Sequence, residues 1–90
     1  LQPRLREQIA LTVAQANTCE YCLSAHSALG KMLGVSKEEM LANRRASSAD
    51  AKTGAALRFA QDMVLRKGLI DDASLSAVRG AGWTDPEIVE

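Results

Sequence analysis

Only three aromatic side chains, Tyr21, Phe59 and Trp83, are spread through these 90 residues. That scarcity constrains the fold more than any other feature. The core must be built from Leu, Ala, Val, Ile and Met, a mixture that suits closely packed helices better than stacked sheets. The chain is also short. A polypeptide of this size makes one domain at most and buries only about 60–65% of the surface its unfolded form exposes. Its formal net charge is zero, with no basic block and no acidic tail. Charge therefore gives no argument for a nucleic-acid or anionic-membrane partner. No apolar run approaches the roughly 20 residues needed to span a bilayer. The opening residues, Leu1 to Glu7, read as the start of a helix and not as a signal peptide.

The punctuation is that of short helices, and the expected class is all-α with five to six antiparallel helices. Pro3 suits a first helical turn, and no Gly or Pro interrupts the pattern before Asn17-Thr18. Those two are N-cap types for a second helix, running from Cys19 until Gly34 closes it. Ser36-Lys37-Glu38-Glu39 forms a capping box for a third, through Arg44. Ser47 or Ser48 is placed to cap a fourth and longest helix, ending at Gly68 after Arg66 and Lys67. Its apolar stripe is Ala55, Ala56, Phe59, Ala60, Met63 and Val64. Asp71-Asp72 starts a fifth helix that ends near Gly80 or Gly82. Thr84 and Glu87 make another capping box, with Trp83 and Ile88 as a hydrophobic staple. The expected organisation is one domain over residues 1–90, truncated within this last helix.

The first helix predicts more than its length suggests. At about 100° per residue, Arg4, Gln8, Thr12 and Gln15 gather in one narrow polar stripe. Leu5, Ile9, Val13 and Ala16 form one apolar face, and Ala10, Leu11 and Ala14 form a second. Glu7 falls within that second face. A helix apolar over most of its circumference is buried on more than one side. Glu7 is thus expected to be a partly buried carboxylate, a type that is usually paired, protonated or functional. One small subunit can hardly cover both faces, so a homo-oligomer with closed symmetry is expected, its interface including this helix.

The chemistry concentrates in Cys19-Glu20-Tyr21-Cys22 and His26. Two cysteines without export features point to a reducing, cytoplasmic setting, where a CxxC pair is more often catalytic or metal-binding than a structural staple. Offsets of three and four place Cys19, Cys22 and His26 on one helical face, a turn apart. Dithiol–disulfide exchange and thiol-based peroxide reduction both need this arrangement. A thiolate is the nucleophile, and a helix N-terminus and a nearby imidazole both favour it. A second thiol must lie close enough to attack a sulfenic acid or a mixed disulfide. His26 can exchange a proton with Cys22, and Glu7 can fix the imidazole tautomer or act as the terminal base. Helix electrostatics select Cys19 as the more acidic thiol, whereas proton-transfer geometry selects Cys22.

A metal site is the competing reading, since Cys19, Cys22, His26 and Glu7 could in number supply four zinc ligands. Zinc CxxC motifs usually sit in a turn paired with a second ligand cluster, and this chain has no other Cys or His. Neither a metal nor a cofactor is expected. The alternative from a different class is a non-catalytic helical oligomerisation module held by a zinc or disulfide staple.

The stretch from Glu7 through Cys19-Glu20-Tyr21-Cys22 and His26 to Gly34, followed by a Ser-x-x-Glu helix start, resembles the alkylhydroperoxidase D-like branch of the carboxymuconolactone decarboxylase superfamily. Segments Asp50 to Ala60 and Gly82 to Asp85 also suit that family. The resemblance implies an all-helical fold that assembles into trimers or hexamers. It implies thiol peroxidase activity of the peroxiredoxin type, with hydroperoxides as substrates. By the same resemblance Cys22 is the peroxidatic residue, Cys19 closes the disulfide, and His26 and Glu7 form the proton relay. The electron donor would be a dithiol, either a lipoyl-bearing partner or a thioredoxin-like protein. Two departures stand out. Tyr21 occupies the CxxC interior, where the name-giving peroxidase has a second histidine, and the family domain continues with another helix beyond this chain. The decarboxylase branch lacks the cysteine pair, so lactone decarboxylation is not implied.

Overall fold

A computed structural model describes residues 2–89, which form six α-helices and no strand: α1 (Pro3–Ala16), α2 (Glu20–Met32), α3 (Lys37–Arg44), α4 (Ala51–Leu65), α5 (Asp72–Gly80) and α6 (Asp85–Val89). None of them is long and apolar enough to cross a membrane.

The first helix is the axis on which α2, α3 and α4 pack. Its second apolar face is covered inside the single chain: Leu11 and Ala14 are buried, and Glu7 is held against α2. The middle of the polar stripe is buried as well, while Arg4 and Gln15 at its ends are exposed. Gln8 and Thr12 turn inward toward α3, where the Thr12 hydroxyl donates to the Asn43 carbonyl at 2.7 Å. The face of Leu5, Ile9, Val13 and Ala16 is only half-buried. The expectation that one subunit can hardly cover both faces is thus corrected for the Leu11 side, which is buried within the helices packed on α1.

Most of the expected boundaries hold, and the departures have local causes. Asn17 and Thr18 do not cap α2. They terminate α1, with Thr18 in the left-handed region at φ 55°. The N–H of Cys19 reaches back to the Ala14 carbonyl at 3.0 Å and that of Thr18 to Gln15 at 3.1 Å, a Schellman closure. Cys19 itself is the N-cap of α2. Gly34, at φ 86°, closes α2 in the same way, and the Val35 N–H bonds the Gly30 carbonyl at 2.9 Å. Packing at Gly30 is close, since the Met40 sulfur lies 3.0 Å from where a Cβ would stand and would have to shift to admit one.

The capping box of α3 is half made. Ser36 Oγ accepts the Glu39 N–H at 3.1 Å, but the Glu39 carboxylate turns away to other partners. It accepts from Gln8 (3.0 Å), Asn43 (2.9 Å), the Ala49 N–H (3.0 Å) and the Ser48 hydroxyl, joining α1, α3 and the following loop. Ser48 is occupied by that bond, so Asp50 caps α4 instead, accepting the Thr53 N–H at 2.9 Å. The buried side of α4 centres on Gly54 and Leu57 rather than on the expected stripe, and Met63 is 40% exposed. The last helical residue is Leu65, since Lys67 and Gly68 both adopt positive φ. Arg66 then pairs with Asp71, the N-cap of α5, at 2.7 Å. The Thr84–Glu87 box opens α6 as expected, and Trp83 and Ile88 line one groove with Leu5, Ile9 and Phe59.

Candidate redox site

The site grows from the turn between α1 and α2. The left-handed Thr18 swings the chain so that Cys19 ends one helical hairpin arm and starts the other. As N-cap, Cys19 presents its sulfur to the first turn of α2, where Sγ accepts the Cys22 N–H at 3.3 Å. Both cysteines are half-buried. Their Cα atoms are 5.3 Å apart and their sulfurs are joined in a disulfide. The CxxC pair is therefore present in its oxidised form, which suits a redox role.

One turn beyond Cys22 stands His26, on the side of α2 that faces α1. Its Nδ1 lies 2.6 Å from Glu7 Oε2, linking residues 19 positions apart. An ionised Glu7 carboxylate only accepts, which selects the tautomer with the proton on Nδ1 and leaves Nε2 able to accept one. The Glu7 side chain is 19% exposed and that of His26 is 35% exposed. The carboxylate is thus screened between helices while the ring still reaches solvent. All four residues predicted from the sequence, Glu7, Cys19, Cys22 and His26, fall on the two arms and the joint of one α-hairpin.

What the sequence did not disclose is the capping role of Cys19. Asn17 and Thr18 are the better cap types by propensity, and a β-branched residue in the left-handed region is what propensity excludes. The sulfur of Cys19 takes the cap because the Schellman closure has already used both preceding residues. Tyr21, between the cysteines, points outward and is 84% exposed. With the two sulfurs bonded to each other, they are not free to ligate zinc. Among the described residues, no group of three or more His, Cys, Asp or Glu side chains is placed to hold a metal ion.

Residues 1–62 match the model of the carboxymuconolactone decarboxylase family. The chain belongs to that family. The matched region runs from α1 nearly to the end of α4 and so contains all four candidate residues of this carboxymuconolactone decarboxylase family member. No curated protein and no solved structure matches the chain significantly. The Cys19–Cys22 pair within the matched region fits a redox-type role.

Proposed function

We propose that this protein is a thiol peroxidase that reduces hydroperoxides through a Cys19/Cys22 dithiol–disulfide cycle. The observation that carries the reading is the 2.6 Å His26–Glu7 pair, held one helical turn from a cysteine of an existing disulfide. In the reduced protein His26 Nε2 takes the Cys22 proton, directly or through a water, and Glu7 stabilises the imidazolium that results. The Cys22 thiolate attacks the terminal peroxide oxygen, and the O–O bond breaks. The imidazolium returns its proton to the departing alkoxide, so an alcohol leaves and Cys22 becomes a sulfenic acid. Cys19 then attacks the Cys22 sulfur, and hydroxide leaves as water after protonation. The product is the disulfide. A dithiol donor, lipoyl-type or thioredoxin-like, restores both thiols and is itself oxidised. The setting proposed for this cycle is the cytoplasm.

The alternative, a disulfide acting only as a staple, is the weaker reading on physical grounds. Bridging residues only three positions apart closes a minimal loop, which restricts the unfolded chain little.

The decisive experiment is thiol titration of the reduced protein before and after one equivalent of hydroperoxide. Two thiols should disappear for each peroxide consumed. Cys19→Ser should accumulate a sulfenic acid that a dimedone-type reagent traps at Cys22, whereas Cys22→Ser should not do so at comparable rate. Thiols untouched by peroxide would remove the proposal, and equally fast trapping at Cys19 would reverse the roles of the two cysteines.

A further inference from the structure

The two sulfurs of the disulfide stand in unlike environments, and the difference bears on how the oxidised protein is reduced. Cys19 Sγ sits at the N-cap of α2 and already accepts the Cys22 N–H at 3.3 Å. The same amide and the positive end of the helix dipole would stabilise negative charge on that sulfur once the disulfide opens. Cys22 lies inside the first turn and precedes by one turn the imidazole that Glu7 orients. One sulfur is placed to leave as an anion. The other stands one helical turn before a base.

We infer that an incoming reductant thiol attacks Cys22 Sγ and expels Cys19 as the thiolate, so that Cys22 carries the mixed disulfide. The step balances. His26 Nε2 accepts the proton of the incoming thiol, and the resulting thiolate forms a bond to Cys22 Sγ. The Cys19–Cys22 bond breaks, and its electron pair departs on Cys19 Sγ, to which the Cys22 N–H donates a hydrogen bond. No net oxidation occurs in this step, because one disulfide replaces another. Attack on Cys19 would do the reverse, leaving charge on Cys22 and bringing the incoming thiol to a sulfur with no base one turn away. Thiol–disulfide exchange is faster when the leaving thiol is the more acidic one, which favours the first direction.

The consequence is a division of labour that holds in both halves of the cycle. Cys22 bears each covalent adduct, the sulfenic acid from peroxide and the mixed disulfide from the reductant. Cys19 is the thiolate that resolves the first and is released by the second. This inference rests on the reading of Cys19–Cys22 as the oxidised state of a working dithiol, but its test contains no hydroperoxide. A protein that exchanges thiols as described and yet ignores peroxides would overturn the proposed function alone.

The test treats the oxidised, full chain with glutathione, quenches with acid, blocks free thiols with a maleimide and locates both labels by fragmentation between positions 19 and 22. Glutathione should be found on Cys22 and maleimide on Cys19, with the reverse pattern about tenfold less abundant. Glutathione mainly on Cys19, or equally on both, overturns the inference. If the mixed disulfide resolves too quickly to be seen, single-cysteine variants decide. Cys22→Ser retains the backbone N–H at position 22, so Cys19 in that variant should react with iodoacetamide half-maximally about one pH unit below Cys22 in Cys19→Ser. The opposite order, or coincident pH profiles, overturns it.

Discussion

At the scale of single residues, Glu7 is committed to His26 by geometry. Its carboxylate, 19% exposed, faces one imidazole nitrogen at 2.6 Å. Glu7→Gln and His26→Ala should each slow peroxide reduction by about 10²- to 10⁴-fold, the usual contribution of a positioned acid–base group. Both variants should keep native helicity, and alkylation of Cys22 at neutral pH should slow in each. Circular dichroism with stopped-flow peroxide consumption checks the first two points. Loss of stability with unchanged Cys22 reactivity would make the pair structural. Thr18 makes a separate forecast. A β-branched residue at φ 55° is strained, and glycine is at ease there. Thr18→Gly should stabilise the protein by ~1 kcal/mol, raising its melting temperature by about 4–8 °C. The shared face of Cys19, Cys22 and His26 was legible because offsets of three and four align them on one helix, and Glu7 stood out as a carboxylate on an apolar face of α1. Thr18 was not, since its conformation is imposed by the tight return of α2 onto α1.

At the scale of elements, the least expected feature is the Glu39 carboxylate, which the Ser36 capping motif assigned to the start of α3. Instead it gathers donors from α1, from α3 and from the loop that leads to α4. Its pKa lies below the ordinary 4.5. Burial pushes it up, but hydrogen bonds from Ser48, the Ala49 N–H and Asn43, with the charge of Arg4, together outweigh that push. A carboxyl with a depressed folded-state pKa adds stability that is fully present above 4.5 and is lost as pH falls through the lowered value. Glu39→Ala should therefore cost ~2 kcal/mol at pH 7. Urea unfolding at a series of pH values should show the gap from wild type narrowing only in acid. A gap independent of pH would mean that the cost is packing rather than charge. The cap of α5 should outlast this hub in acid. Asp71 is held down to about 2 by the Ser74 N–H and by the Arg66 and Ser74 side chains. Helix number and most starts were readable because caps and glycines are local signals. The Glu39 hub was not readable, since it depends on Gln8, a polar residue of α1 whose inward turn becomes visible only when α3 packs on it. For the same reason Leu57 is fully buried although it lay outside the apolar stripe expected of α4.

At the scale of the whole molecule, the covered and uncovered faces differ from the expectation. The single chain covers the Leu11 face of α1, while α2 buries only Gly30 along its 13 residues. Its outer side carries Tyr21 and Met32, both more than four-fifths exposed, with Leu29 and Leu33 partly so. Large apolar side chains grouped on one helix mark a protein contact surface. The homo-oligomer we propose, a trimer or hexamer, should accordingly use α2 as well as α1. Light scattering at micromolar concentration should report an oligomer, and Met32→Glu should shift it toward monomer without loss of helicity. A monomeric wild-type chain with native helicity would remove the proposal. Every residue of the redox site also lies between positions 7 and 26, on one hairpin that needs no distant strand or helix to complete it. In kinetic terms, the working parts meet through short-range contacts alone. Loop closure over so few residues is fast, so the chemistry is assembled as early as any tertiary contact in the chain. Opening of α5 and α6 would leave the sulfurs, the imidazole and the carboxylate in place, giving the protein a reactive centre more durable than its own periphery.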